Sequence, residues 1–340
     1  MLTGSRKFTL HQMGAETVEI KCGNNICSVA FLPDGKDLVC GGWEGKTRRW
    51  KAESGREVGV AMDAGSCVLN LAVSPNGKWV VSGTNSGRVT VWNAETHAKA
   101  TEIDTHAKSV YAVDVSPDSR HIATESDEKA VCVWSISTGE RLFGPWKHDG
   151  SIAGIKYSPN GALIATASLE RDSIRIYDSK DGRLLVPDIR VGVSAYLNQS
   201  FTWAADSTQL IVLSGGGNIK YLDVTTGRVG SQWAIHSNDK PRCIALANNG
   251  KFVATSANSS ISFWDTTTYK QIGDVLQYGG SVRTMAISPS IDHLASGGDD
   301  QKITLRSLRD VLPESYLVEV NFKCPPRKNR PLTRHNFIDY

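Results

Sequence analysis

Residues Ser28–Lys36 read SVAFLPDGK, and this pattern of an alternating apolar run followed by a Pro-Asp-Gly turn recurs along most of the chain. Clear copies are Asn70–Lys78 (NLAVSPNGK), Ala112–Arg120 (AVDVSPDSR) and Gly154–Ala162 (GIKYSPNGA). Weaker copies are Ser200–Thr208 (SFTWAADST), Cys243–Lys251 (CIALANNGK) and Thr284–Asp292 (TMAISPSID). The turn position recurs every 41 to 46 residues, and seven copies at this period indicate one repeat architecture rather than two independent domains.

Each repeat continues in the same way after its turn. A second apolar run follows, as in Leu38–Gly42, and then a third run that ends in an aromatic residue, as in Val89–Trp92. A turn such as Ser137–Gly139 leads to a weaker fourth run. Period-2 alternation of β-branched and aromatic residues predicts strands, and no window shows a convincing helical period.

A four-stranded antiparallel unit of this length cannot bury both of its faces alone, so seven such units must pack radially. The sequence therefore predicts an all-β fold, a closed seven-bladed β-propeller with four-stranded antiparallel blades. We expect no helix longer than about two turns, because the repeats leave no helical segment between them.

The repeats resemble the WD-repeat family from about Glu16 to Leu308, through the S-P-D/N-G turn and the aromatic residue that ends the third strand. Trp264-Asp265 is the one literal Trp-Asp dipeptide. Phe252–Gly273 and Ala286–Leu308 are similar in phrasing to mushroom WD-repeat proteins, including those attached to NACHT-type NTPase immune receptors. This resemblance implies a fungal protein and, by analogy, a sensor or scaffold role.

The family resemblance also implies how the ring closes. Residues before the first full repeat supply the outer strand of the last blade, and Glu16–Ile20 (ETVEI) has the right offset for this. Ser315–Phe322 (SYLVEVNF) is also strand-like and competes for the same edge, so the sequence leaves both candidates open. We divide the chain into an extension at 1–15, a propeller at 16–322 and a basic, Pro-rich tail at 323–340.

The charge balance points away from a nucleic-acid-binding body. The net charge is +3, and the basic excess lies in the tail, which holds Lys323, Arg327, Lys328, Arg330 and Arg334.

The seven cysteines are scattered without a CxxC pair, which favours reduced thiols over a disulfide framework or a zinc site. No apolar run approaches a membrane span or a signal peptide. We expect a cytoplasmic or nuclear protein without membrane contact.

Motifs of catalysis are not assembled in the sequence. Gly41–Thr47 resembles a phosphate loop, but Cys40 stands where its first glycine belongs, and the segment is predicted to join two strands. The set His106, Thr124, Asp127 or Glu128, and Trp134 resembles the hydrogen-bond network that braces WD-repeat blades, and we interpret it as structural. We predict no enzymatic activity, no cofactor and no metal.

Family resemblance implies which repeat positions surround the mouth of the central channel: the start of each innermost strand and the hairpin after the second strand. These positions differ in chemistry from repeat to repeat, although the core positions recur. Our candidate binding residues are, from the hairpins, Trp43, Asn85, Asp127 and Asp299, and, from the innermost strands, Tyr111, Arg242 and Arg283. Because Trp, Tyr and Arg anchor most interaction hot spots, the set predicts a binding surface.

Two arginines beside Trp43 suit a carboxylate or phosphate next to an apolar group, so an acidic or phosphorylated peptide is the expected ligand. The sequence favours a monomeric, non-catalytic scaffold or sensor module that recognises a protein or peptide partner. Alternatives are a lectin-like binder of carbohydrate or another small ligand, supported by Trp43, and a nucleic-acid contact through the tail. Another alternative is that the arginines pair internally with Asp299 or Glu44 and brace the turn.

Overall fold

The fold is a seven-bladed β-propeller, as the repeats predict. The computed structural model describes residues 17–105, 108–148, 150, 152–168, 173–192, 200–235 and 241–318. These residues form seven four-stranded antiparallel sheets, each of which is one blade. Helix within this part of the chain is limited to one 3-10 turn and one four-residue α-helix, which follow the last strand.

The first four blades are each built from four consecutive strands of the chain. Blade one contains β2 (Ile26–Phe31), β3 (Asp37–Gly42), β4 (Lys46–Lys51) and β5 (Glu57–Asp63). Blade two contains β6 (Val68–Val73), β7 (Trp79–Thr84), β8 (Arg88–Asn93) and β9 (Lys99–Asp104). Blade three contains β10 (Val110–Val115), β11 (His121–Ser126), β12 (Ala130–Ser135) and β13 (Arg141–Lys147). Blade four contains β14 (Ile152–Tyr157), β15 (Leu163–Ser168), β16 (Ser173–Asp178) and β17 (Leu184–Arg190).

The remaining three blades follow the same order, except that the last takes its outer strand from the start of the chain. Blade five contains β18 (Phe201–Trp203), β19 (Gln209–Leu213), β20 (Asn218–Asp223) and β21 (Val229–Ala234). Blade six contains β22 (Pro241–Leu246), β23 (Phe252–Ala257), β24 (Ser260–Asp265) and β25 (Gln271–Gln277). Blade seven contains β26 (Val282–Ile287), β27 (His293–Gly298), β28 (Lys302–Ser307) and β1 (Thr17–Lys21).

The ring is closed by the strand nearest the start of the chain. Strand β1 pairs antiparallel with β28, with Ile20 opposite Ile303. The competing prediction, that Ser315–Phe322 is this strand, is wrong, because the edge of β28 is already occupied. The described part of that segment begins within the α-helix α1 (Glu314–Leu317), which follows the 3-10 turn Leu308–Asp310.

Burial explains why each repeat reads as it does. The second strand of a blade is covered on both faces by neighbouring blades, so all six residues of β3 are buried. The outer strand β5 is more exposed and less apolar, with Val60 70% exposed. Gly35 and Gly77 have φ angles of +68° and +70° in the turns between the first and second strands, where glycine has no steric cost.

Neighbouring blades are joined by hydrogen bonds as well as by apolar packing. A side-chain oxygen on one innermost strand accepts a backbone N–H from the innermost strand of the next blade. These bonds run from Val29 N to Thr284 Oγ1 (3.1 Å), from Leu71 N to Ser28 Oγ (3.1 Å) and from Val113 N to Asn70 Oδ1 (3.0 Å). The first of them joins blades one and seven, so it reinforces the closure made by β1.

Tryptophans that end the third strands brace the blades from inside. The indole N–H donates to a hydroxyl on the second strand in three blades: Trp92 to Ser82, Trp134 to Thr124 and Trp264 to Thr255, each at 2.9 Å. In blade one the acceptor is the Cys40 thiol, 3.2 Å from Trp50 Nε1. These bonds support the structural interpretation of Thr124 and Trp134, while His106 lies outside the described residues.

Candidate binding surface at the channel mouth

A β-bulge occurs near the start of the innermost strand in six blades. The extra residue in each bulge is unpaired in the ladder, and the strand bends at that residue. The bulged residues are Cys27, Leu69, Tyr111, Ala153, Arg242 and Arg283. Three of the seven candidate residues, Tyr111, Arg242 and Arg283, therefore occupy one repeated and irregular backbone position.

The other four candidates share a second backbone position. Each follows the second strand of its blade and donates its backbone N–H to the residue that precedes the innermost strand. These bonds join Trp43 to Asn25 (3.2 Å), Asn85 to Cys67 (3.0 Å), Asp127 to Ser109 (3.0 Å) and Asp299 to Ser281 (3.1 Å). All seven candidates thus lie at the same end of the ring, where the innermost strands begin.

Arg283 and Asp299 are directly bonded to each other. Arg283 Nε donates to Asp299 Oδ1 in an ion pair, and Asn25 Nδ2 of the adjacent blade approaches the same oxygen at 3.3 Å. The two charged side chains are 27% and 34% exposed, so the pair keeps contact with solvent. The internal pairing that the sequence left open is present for Arg283 and Asp299.

Glu44, the other acid considered as an internal partner, is engaged elsewhere. Its carboxylate lies 2.7 Å from Arg48 and 3.4 Å from Lys46, and the hydrogen bond from Arg48 lowers the pKa of Glu44. Trp43, which precedes it in the turn between β3 and β4, is 58% exposed. Because this turn joins two strands, it lacks the strand-to-helix geometry of a phosphate loop.

A pair of thiols lies next to Trp43 and Arg283. Cys27 and Cys67 share a hydrogen bond, which with burial raises the pKa of the Cys27 thiol. Arg283 and a hydrogen bond from Trp43 act in the opposite direction on the same pKa. The Cys27 thiol is therefore close to both Trp43 and Arg283, and the sequence analysis did not select it because the cysteines are scattered without a spaced motif.

The remaining candidates stand apart from this cluster. Ser66 Oγ donates to the side chain of Asn85, and Ser109 Oγ donates to the Asn85 carbonyl at 3.1 Å. The Nε atom of Arg242 is buried without a hydrogen-bond partner. Within the described segments, no hydrogen bond or ion pair joins Tyr111 or Arg242 to the cluster of Trp43, Arg283 and Asp299.

Blade three carries a buried acid that sequence reasoning missed. Glu125 is 0% exposed, neither carboxyl oxygen has a hydrogen-bond partner, and burial followed by the charge of Asp127 raises its pKa well above the usual range. Gly41 and Gly83 occupy the corresponding register in blades one and two. A Cβ on Gly41 would lie 2.6 Å from Val68, so this position faces the next blade.

Two other kinds of site are absent from the described residues. They contain no group of three or more His, Cys, Asp or Glu side chains placed to hold a metal ion. None of the helices in the same residues has the length and apolarity needed to cross a membrane.

Five segments of the chain match the family described as WD domain, G-beta repeat: residues 17–51, 61–93, 98–135, 143–178 and 230–265. They cover more than half of the chain. The chain belongs to the WD-repeat family. The first matched segment begins with the closing strand β1, as expected for a WD-repeat ring whose first residues complete its last blade. No curated protein matches the chain.

Proposed function

We propose that this WD-repeat protein is a non-catalytic interaction module that binds a protein or peptide at the channel mouth. The observation that carries the proposal is the exposure of Trp43. Among the described residues, the large hydrophobic side chains that are exposed comprise six aliphatic residues and Trp43 alone of the aromatics. An exposed indole in a turn that leaves it free of core packing is a typical anchor for a partner.

The neighbouring charges specify the partner's chemistry. The hydrogen bond to Asp299 uses Nε of Arg283, and no hydrogen bond from its terminal guanidinium nitrogens occurs among the described residues. A carboxylate or phosphate accepts two parallel hydrogen bonds from such a fork. An acidic or phosphorylated peptide with an apolar residue beside the acid would contact both Arg283 and Trp43.

Binding of acidic and phosphorylated peptides to the full chain tests this proposal. Trp43→Ala and Arg283→Ala are each expected to weaken binding by about 1–3 kcal/mol while leaving the melting temperature nearly unchanged. Arg309→Ala is the matched control, because Arg309 also pairs with an aspartate, Asp292 at 3.1 Å, in a turn at the opposite end of the ring. If Arg283→Ala lowers the melting temperature and leaves binding intact, the ion pair only braces the turn and the proposal fails.

A lectin-like function is the second candidate, and the same exposed indole favours it, since aromatic faces stack on sugar rings. A panel of oligosaccharides measured against wild type and Trp43→Ala distinguishes the two. Saccharide binding that requires Trp43 but not Arg283 would replace the peptide proposal. A nucleic-acid contact is the least favoured candidate, because its basis is the segment 323–340, which lies outside the described residues.

The setting of the module is part of the proposal. Scattered cysteines without a paired spacing favour a reducing compartment, hence the cytoplasm or the nucleus. We also propose a monomer and, from the phrases shared with mushroom proteins, a fungal scaffold or sensor. Light scattering of the purified protein tests whether it is a monomer.

A further inference from the structure

Clefts separate neighbouring blades on the face opposite the mouth. The cleft between blades five and six has a volume of about 420 Å³, and the cleft between blades three and four about 530 Å³. Each is bounded by the turn between the first two strands, the end of the third strand and the outer strand of one blade, and by two turns of the next. The corresponding cleft between blades six and seven is filled.

The filling comes from the chain itself, after its last strand. Leu312 is 4% exposed and belongs to one apolar cluster with Phe252 and Phe263 of blade six and Ile291 of blade seven. Tyr316 packs edge-on against Phe252, with ring centroids 6.4 Å apart. This cleft therefore binds a short apolar segment of polypeptide.

Polar contacts hold the same segment in place. The Tyr316 hydroxyl donates to Asp265 Oδ2 at 2.7 Å, at the end of β24. In the first turn of blade six, Asn249 Nδ2 donates to the carbonyls of Tyr316 (2.6 Å) and Val318 (3.2 Å). Lys251 Nζ donates to the Ser315 carbonyl at 2.7 Å. Blade six, on its face opposite the mouth, thus binds the backbone carbonyls of this segment and the Tyr316 hydroxyl.

The path of the chain leads to the open cleft between blades five and six. Val318 is the last described residue, and the side chain that holds its carbonyl belongs to Asn249, the neighbour of Gly250. Gly250 lines the open cleft. Since an extended residue spans about 3.3 Å, only a few residues beyond Val318 are needed to reach the cleft.

The open cleft keeps the acid of the filled one and adds aromatic walls. Asp223 ends β20 as Asp265 ends β24, and its Oδ1 accepts the backbone N–H groups of Thr225 and Thr226. Tyr221 and Tyr269 line the same space. Tyrosine walls with a carboxylate at their edge suit prolines followed by a cation.

Tyr269 is held in place at a backbone cost. Its φ angle is +62°, at a turn position where Gly139 and Gly227 serve in other blades. The ring stacks on Trp233 with centroids 4.5 Å apart, which fixes its orientation against the cleft. Because Tyr269 also packs against the core cluster that contains Trp233 and Trp264, its ring is held at the wall of the cleft.

We propose that Phe322–Lys328 (FKCPPRK) of the same chain binds in the cleft between blades five and six. Pro325 and Pro326 lie against Tyr221 and Tyr269, and a basic side chain that follows them pairs with Asp223. The cleft between blades three and four, to which no described segment leads, stays open. The tail thereby extends, by one blade, the contact that Leu312 and Tyr316 begin.

Cross-linking of the full chain tests the proposal, because Cys324 lies within the segment. Ser231 lines the cleft, so a short bismaleimide is expected to join Cys324 to the new thiol of Ser231→Cys within one molecule, as read by peptide mass spectrometry. The matched control is Leu142→Cys, whose residue lines the cleft between blades three and four. We expect about tenfold more cross-link in the Ser231→Cys variant, reflecting the local concentration of a docked segment.

Other results would overturn the proposal. Equal yields in the two variants mean that the segment has no preferred cleft. Cross-links between two isotopically distinct copies assign the cleft to a second molecule. Limited proteolysis tests the proposal without an introduced cysteine. Trypsin cleavage after Lys323 and Arg327 is expected to be about tenfold faster in Tyr269→Gly than in wild type. Glycine is the native residue at this turn in other blades, so the variant keeps the turn geometry, and unchanged cleavage rates reject the docking.

Discussion

Arg283 forms an ion pair with Asp299 across the first hairpin of blade seven, and Asn25 of blade one approaches the same carboxylate oxygen at 3.3 Å. Two candidate binding residues are therefore partners of each other at the seam where the ring closes. Because both side chains keep about a third or a quarter of their surface in solvent, such a pair stabilises a fold by only about 0–1 kcal/mol. A ligand carboxylate competes with Asp299 for Arg283 on nearly equal terms.

This competition predicts the effect of removing the acid. Asp299→Asn keeps the size of the side chain but removes the negative charge that occupies Arg283, so an acidic or phosphorylated peptide should bind about tenfold more tightly. Fluorescence polarisation with one labelled peptide at fixed ionic strength measures the change. Asp292→Asn, which frees Arg309 at the other end of the ring, is the control and should leave affinity unchanged. Weaker binding in Asp299→Asn would mean that the acid itself contacts the ligand.

The closing strand supplies a prediction about stability. Ile20 is 4% exposed in β1 and packs in one cluster with residues of blades one and seven. Ile20→Ala should lower the free energy of unfolding by about 2–4 kcal/mol, because it opens a cavity at the seam. Val60→Ala, on the outer strand of blade one and 70% exposed, is the control and should have little effect. Denaturant unfolding of both variants measures the difference, and similar midpoints would contradict the role assigned to β1.

The fold could be predicted because the same packing problem is solved seven times. Strand β3, with no exposed residue, has the apolar run that any strand between two blades requires. The turn glycines Gly35 and Gly77 follow from the φ angles of the turn. The need for a buried apolar strand and for a turn glycine recurs in each repeat, so the pattern can be recognised even where single copies are degenerate.

The segment after the last blade could not be predicted in this way. Ser315–Phe322 alternates as a strand does, but the structure places Tyr316 in a short helix. Its partner is Asp265, 51 residues earlier, and its ring packs against Phe252. A contact that occurs once, between residues so far apart in the sequence, produces no repeated sequence pattern. A strand at Ser315–Phe322 would also need the edge of β28, which is already paired with β1.

The binding surface at the channel mouth could be predicted from the sequence only in part. Its positions could be predicted because they follow from the resemblance to the WD-repeat family, and the structure places Arg283 at a bulge that recurs in other blades. The partner of Arg283 could not, since Asp299 and Glu44 were equivalent on sequence alone. Arg48, four residues after Glu44, donates to that carboxylate in two hydrogen bonds, which leaves Asp299 for Arg283.

Two tryptophans separate structural from functional roles. Trp92 donates to Ser82 at 2.9 Å inside blade two, so Trp92→Phe loses this bond and should cost about 1–3 kcal/mol of stability while binding is retained. Trp43→Phe should weaken peptide binding and leave stability nearly unchanged, because the Trp43 indole is 58% exposed. Thermal melts and peptide titrations of both variants measure the contrast. Loss of binding in Trp92→Phe without loss of stability would mean that the roles are assigned the wrong way round.

Glu125 gives blade three a stability that depends on pH. Unfolded, this acid releases its proton near its ordinary pKa of 4.5, whereas burial keeps the folded form protonated well above that value. The folded state then binds more protons than the unfolded state, so the free energy of unfolding falls as pH rises above about 4.5, by up to about 1.4 kcal/mol per pH unit. Glu125→Gln removes the titration, so its melting temperature should match that of wild type at pH 4 and exceed it at higher pH. Glu95→Gln, at an exposed turn, is the control and should melt in parallel with wild type across the range. A constant difference between Glu125→Gln and wild type at all pH values would show that the carboxyl group is ionised in the folded protein.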